Sequence, residues 1–282
     1  MAILVTGATG RVGSRFVPRL LRGGEPVRVL ARDPRRAELL GRLGAEVVIG
    51  DLRAAGTLAD ALEGVDAVVH LGAAFRDVPD KEAVAVNHTA TVELAEASLR
   101  AGVSRFVHVG TTLVYGNGRG RPARESDEPA PPGWAYTTSK VAAEKTLLRL
   151  HEAQGLPLCI VRLAFVYGEG DPHLAESLHW AGDWPPHKRL HLVHHADVGQ
   201  ALLRVLRADG VDGEIYNVAD DAPVTYLELQ NLNGEPGTAG TAGDRSFDDP
   251  WEGIVDTSKI RHELGFRPIY PTVYTAEAAG AL

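Results

Sequence analysis

Cysteine and methionine are nearly missing from this 282-residue chain, at one residue each. Cys159 has no partner along the chain, so no internal disulfide can form, and the expected setting is a reducing compartment, the cytoplasm. A basic excess is missing too. The formal net charge of −8 argues against the basic stripe that a nucleic-acid surface requires. No apolar run approaches the roughly 18 residues of a membrane span, and the N-terminal AILV breaks at once into Thr6-Gly7, so neither a membrane segment nor a leader is expected. Aromatics are few, at 6 %, but a hydrophobic content of 44 % leaves ample material for a core.

What is present is alternation. Continuously apolar runs at 2–6, 27–31, 46–50, 67–71, 105–109 and 158–163 read as strands covered on both faces. Helical patterns at 11–23, 34–43, 57–63, 81–101 and 136–153 lie between them. The expected fold is therefore α/β, a doubly wound parallel sheet. Beyond residue 170 Pro, Gly and His become frequent, and 233–244 reads as a flexible loop. We expect a dinucleotide-binding unit over 1–165 and, over 166–282, a small substrate-binding part with elements that return to the main fold.

Gly7, Gly10 and Gly13 follow the first strand directly and open the first helix. Glycine allows a tight turn and a close backbone approach, and the helix N-terminus offers free N–H groups to a pyrophosphate. Thr9, Arg11 and Val12 belong to the same loop. The second strand ends at Ala31, followed by Arg32 and Asp33. Arg32 presents a planar fork suited to a 2′-phosphate, with Arg11, Arg35 and Arg36 adding charge nearby, which favours NADP; Asp33 would instead serve the ribose of NAD. Asp51 and Leu52, after the third strand, are expected on the adenine side.

In Tyr136-Thr137-Thr138-Ser139-Lys140 the tyrosine and lysine share a helix face. A phenol near its ordinary pKa of about 10 is a poor base at neutral pH, and a lysine cation one turn away favours the phenolate. Tyr136 then acts as acid and base on an alcohol or carbonyl. Hydroxyls at Thr111 and Thr112, at the end of a strand, offer a hydrogen bond to the reacting oxygen.

Together TGATGRVG, GTTLVYG, YTTSK and VRLAFVYGEGDP resemble the extended short-chain dehydrogenase/reductases, the NAD-dependent epimerase/dehydratase superfamily. The resemblance runs to about residue 220 and resumes at DTSKIRHELGFRP. It implies a Rossmann fold, a Thr111–Tyr136–Lys140 triad, and Lys140 on the nicotinamide ribose. Leu71, Gly72, Ala73, Leu163 and Val166 would line the cofactor, and Asn87 would order that region. The helices at 81–101 and 136–153 resemble those that pair in the family's homodimers.

Nucleotide-sugar members often read Arg-Pro-x-Asn-x-Tyr-Gly after the sixth strand. Here Phe165 stands in the amide's place, in Arg162-Leu163-Ala164-Phe165-Val166-Tyr167-Gly168, and an apolar ring cannot hydrogen-bond a phosphate. With a short 170–190 segment, this points to a small carbonyl or alcohol substrate and an NADP(H) oxidoreductase. The alternatives are a nucleotide-sugar epimerase or dehydratase with tightly held NAD, and a non-catalytic NADP sensor. Dehydration is disfavoured by Thr112-Leu113, where dehydratases often carry Asp-Glu. Thr112, Trp134, Phe165 and His194 are the expected substrate neighbours, although Trp134 equally suits the core. Histidines crowd 173–195 without metal-site spacing, and Asp197 reads as a helix cap.

Overall fold

The computed structural model describes residues 1–182, 184–235 and 249–282. Of the stretch read as a loop over 233–244, residues 236–244 lie outside the described residues. In chain order the elements are β1 (Ile3–Thr6), α1 (Gly13–Arg22), β2 (Val27–Ala31), α2 (Pro34–Arg42), β3 (Glu46–Ile49), α3 (Ala55–Leu62), β4 (Ala67–His70), α4 (Asp80–Val84), α5 (Ala90–Arg100), β5 (Arg105–Thr111), α6 (Ala135–Gln154) and β6 (Leu158–Leu163). There follow β7 (Phe165–Tyr167), α7 (His173–Ala181), β8 (Arg189–Leu190), β9 (Leu192–His194), α8 (His195–Arg207), β10 (Glu214–Val218), β11 (Val224–Thr225), α9 (Tyr226–Leu232), α10 (Ser258–Leu264) and α11 (Val273–Ala278).

Seven strands form one sheet in the order β10-β6-β5-β4-β1-β2-β3, with every neighbouring pair parallel. Successive residues on a strand face opposite sides, and here both sides are covered. Val5, Val69, Val107 and Val161 pack with Phe16 and Leu20 of α1 and Leu202 of α8. Their neighbours Leu4, Val68, Phe106 and Ile160 pack with Leu94 of α5 and Leu147 and Leu150 of α6. That double cover is why these runs read as unbroken apolar stretches. β3 departs from it: as the edge strand it leaves Ile49 half exposed, at 50 %.

Strand order reverses between β1 and β4, which opens the ligand crevice above their C-terminal ends. The helix expected over 81–101 comes in three pieces, because the turns of Ala85–Thr89 widen to π geometry between α4 and α5. Such widened turns often mark functional places. Here Asn87 accepts from Ala74 N at 2.7 Å and donates to Ala74 O at 2.8 Å and to Ser139 Oγ at 3.2 Å, so it orders the loop after β4.

In the C-terminal part, β7 pairs with β9 and β8 with β11, and Tyr167, Leu174, Leu192, Leu229 and Val273 form a separate small core. Asp197 does not cap a helix. It lies in the first turn of α8 and accepts the backbone N–H groups of Ile269 and Tyr270, while the cap of α8 is His194.

Candidate active site

The glycine-rich turn leads from β1 into α1. Gly7 adopts φ +71°, and a Cβ there would fall 2.5 Å from the backbone N of Gly72. A Cβ on Gly13 would fall 2.3 Å from the carbonyl oxygen of Gly7. Only glycine fits either place, and the turn is thereby pressed against the loop after β4. No side chain caps α1, and the N–H groups of Arg11, Val12 and Gly13 make no hydrogen bond among the described residues. Three free donors at a helix N-terminus suit a pyrophosphate.

Arg11 differs from its expected part. Its guanidinium donates to Asp171 at 2.6 Å and Glu176 at 2.7 Å, so the charge expected to add to the cofactor's surroundings is paired within the protein. Arg36 donates to the Thr9 carbonyl at 3.0 Å. Arg32 is exposed and makes no hydrogen bond or ion pair among the described residues, whereas Asp33 caps α2 through the Arg35 N–H. A hydrogen bond from Arg53 lowers the Asp51 carboxyl to about 2, with Arg32 contributing from farther off. Leu52 packs against the cluster that includes Leu4, Leu94 and Leu147, and Leu71, Gly72 and Ala73 follow β4 at the crevice. Leu163 is buried at the end of β6, and Val166 lies half-buried in β7.

Three residues converge as expected. Thr111, the last residue of β5, stands near enough to the Tyr136 phenol to lower its pKa, and Lys140 lies one turn further along α6. Lys140 is 1 % exposed, donating from Nζ to the Val109 carbonyl at 2.8 Å and lying 3.2 Å from His108 Nε2. The pKa values run against the sequence expectation for the phenol. Burial pushes Tyr136 up to about 12, only partly opposed by Thr111. Burial also lowers Lys140 to about 8, opposed by Glu144. Besides burial, Glu144 raises the phenol's pKa and Arg76 lowers it. The cofactor's positive nicotinamide is the further influence that would favour phenolate.

Several neighbours carry no local sequence signal. The Phe75 ring lies 4.4 Å from that of Tyr136, and the Arg76 guanidinium sits over Phe75 at 4.7 Å. Glu144 and Arg162, both buried, pair at 2.7 Å, and Arg162 donates to the Tyr115 hydroxyl. His108 was legible only as a polar interruption of an apolar strand.

On the expected substrate side, Thr112 is buried beside a small cleft lined by Arg119, Arg121 and Trp251. Trp134 is 60 % exposed at the start of α6, which excludes a core role. Phe165 stacks on His173 with centroids 4.0 Å apart. His194 is not placed to bind substrate: Nδ1 accepts from Ala196 N and Nε2 donates to the Ala281 carbonyl, so both ring nitrogens hold the fold together. His191 bonds the Asp220 carbonyl and Val255 N, and His195 bonds Asp171 at 2.9 Å.

A glycine-built turn with free N–H groups fits a dinucleotide, and beyond it stands a hydroxyl–phenol–ammonium set. This is the site of a Rossmann-fold enzyme that moves hydride with a nicotinamide cofactor. The chain belongs to the NAD dependent epimerase/dehydratase family, whose profile matches residues 3–181. It is 30 % identical over 298 aligned residues to a dTDP-glucose 4,6-dehydratase from Streptomyces niveus, covering 95 % of this chain and 88 % of the relative. It is 28 % identical to a 4-hydroxy-2-methyl-3-oxo-4-farnesyl-3,4-dihydroquinoline-1-oxide ketoreductase from Stigmatella aurantiaca, covering 92 % and 83 %. A dTDP-glucose 4,6-dehydratase from Streptomyces venezuelae, solved with NAD bound, superposes with a TM-score of 0.80 at 28 % identity, covering 99 % of this chain and 97 % of that one.

Proposed function

We propose that the protein oxidises and re-reduces a secondary hydroxyl of a nucleotide sugar, with NAD retained through the cycle and no net redox change. The observation that carries this reading is the placement of Thr111 beside the Tyr136 phenol, one helical turn from buried Lys140. Thr111 holds the reacting oxygen. Tyr136 takes the hydroxyl proton and later returns it, and the Lys140 ammonium favours the phenolate during that exchange. When bound, the cofactor accepts and gives back the hydride. The free N–H groups of Arg11, Val12 and Gly13 would hold its pyrophosphate.

Likeness along nearly the whole chain to nucleotide-sugar dehydratases supports this substrate class over the small-carbonyl reductase that Phe165 suggested. Within it, epimerisation is the better reading. Elimination of water needs a further acid and base, and Thr112 and Leu113 supply neither. One observation keeps a second reading: the Phe165–His173 stack makes that wall apolar, as suits the ketoreductase relative.

Mass spectrometry of nucleotide released from freshly purified protein tests the choice, with NADH and NADPH titrated into the stripped enzyme. Stoichiometric NAD, followed by conversion of a UDP- or dTDP-sugar without net NADH, supports the epimerase. Empty protein that prefers NADPH through Arg32 supports the exchanging reductase.

A further inference from the structure

Beside Lys140 lie two buried histidines. His70 on β4 and His108 on β5 stand side by side in register, with rings 5.5 Å apart. Both are fully buried. His70 is committed elsewhere: Nδ1 lies 2.6 Å from Thr6 Oγ1 and Nε2 lies 2.8 Å from Thr91 Oγ1. Among the described residues the His108 ring has one hydrogen-bonding partner, the lysine. Its Nε2 lies 3.2 Å from Lys140 Nζ, and its buried Nδ1 has no partner among the described residues.

An ammonium has three N–H donors and accepts nothing, so Nε2 must be the acceptor and the ring proton must sit on Nδ1. The ionisable groups around this contact are Tyr136 and Glu144 on α6, His70 on β4 and Arg162 on β6. Burial, then Lys140, His70 and Arg162, all keep His108 neutral. A neutral imidazole is one of the few side chains that can accept from a buried cation without pairing with it as an ion.

We propose that His108 is a positioning residue for the catalytic lysine. Its imidazole accepts one N–H of Lys140, the Val109 carbonyl accepts a second, and a single N–H is left for the reaction. An apolar residue at 108 would turn one donor towards a dry wall, and a buried ammonium short of an acceptor moves or loses its proton.

The proposal rests on the catalytic assignment of Tyr136 and Lys140, so its test keeps the two apart. The full chain is compared as wild type, His108→Leu, His108→Gln, Lys140→Met and the combined His108→Leu/Lys140→Met variant, by urea unfolding at pH 7 and by NADH titration. Leucine at 108 should raise the unfolding equilibrium constant about tenfold when Lys140 is present and much less when methionine replaces it. It should also weaken NADH binding, and glutamine, which retains an acceptor, should recover most of both losses. A His108→Leu protein that folds only when Lys140 is also replaced would support the same coupling. Equal losses in both backgrounds, a glutamine no better than leucine, or failure of both leucine variants to fold would make His108 a packing residue and overturn the proposal. Tyr136→Phe is the separate control. Full turnover in that variant defeats the catalytic assignment itself, whereas an additive cycle beside an inactive Tyr136→Phe defeats only the role of His108.

Discussion

The guanidinium of Arg11, on the glycine-rich turn, meets the carboxylate of Asp171 at 2.6 Å. His195 of α8 bonds the other oxygen of the same carboxylate, and the second arm of Arg11 reaches Glu176 on α7. The glycine-rich turn is thus tied to the C-terminal part, and a charge expected to face the ligand is instead used to join the two parts.

Burial alone would raise the Asp171 carboxyl, but hydrogen bonds from His195 and Arg11 hold it well below the ordinary range. A depressed carboxylate stabilises the fold fully above its unfolded pKa, about 4, and that contribution fades as the pH falls further. Asp171→Asn should therefore lower the thermal midpoint by a few degrees at pH 7, and the gap from wild type should narrow towards pH 3. Melting curves from pH 7 to 3 check this; a gap that widens with acid would refute it.

Lys140 titrates in the opposite sense. Its folded pKa of about 8 lies below the unfolded value of 10.5, so between those values the unfolded chain binds more protons. The stability of the wild type relative to Lys140→Met should rise from pH 8 to about 10.5 and stay flat below pH 7. Urea unfolding across pH 6.5–10.5 measures the difference directly.

Glu144 and Arg162 are each 2 % exposed, and a Cβ on Gly110 would fall 2.5 Å from Glu144 Oε1. Removing one partner strands a buried charge: Glu144→Leu should cost about 3–5 kcal/mol. Replacing both, as Glu144→Leu with Arg162→Met, should cost less than the single change. A double variant as unstable as the sum of its parts would show that the pair is not coupled.

Gly7→Ala places a Cβ against Gly72 at a positive φ. It should destabilise the chain by about 2 kcal/mol or more and abolish NADH binding, which melting and NADH titration read separately.

The doubly wound sheet was legible in the sequence because Leu4/Val5 and Phe106/Val107 are apolar at consecutive positions, which only double burial explains. β10 escaped notice: Glu214 and Asn217 interrupt its apolar pattern, and Asn217 is tolerated there because it hydrogen-bonds Tyr115. The break at 85–89 was equally silent, since Asn87 earns its place through Ala74 and Ser139, not through its helical neighbours. His194 and Asp197 were misplaced for a related reason. Their partners, Ala281, Ile269 and Tyr270, lie more than 70 positions away.

By itself, then, the sequence determined the alternation of strands and helices, the glycine turn and the Thr111–Tyr136–Lys140 set. Side-chain period, glycine's freedom at positive φ and helical spacing are properties of neighbours along the chain. Tertiary structure alone decided which charges cancel, which histidines are structural, and that Tyr136 titrates high while Lys140 titrates low. Those outcomes depend on how much water packing removes and on which distant groups it brings within hydrogen-bond reach.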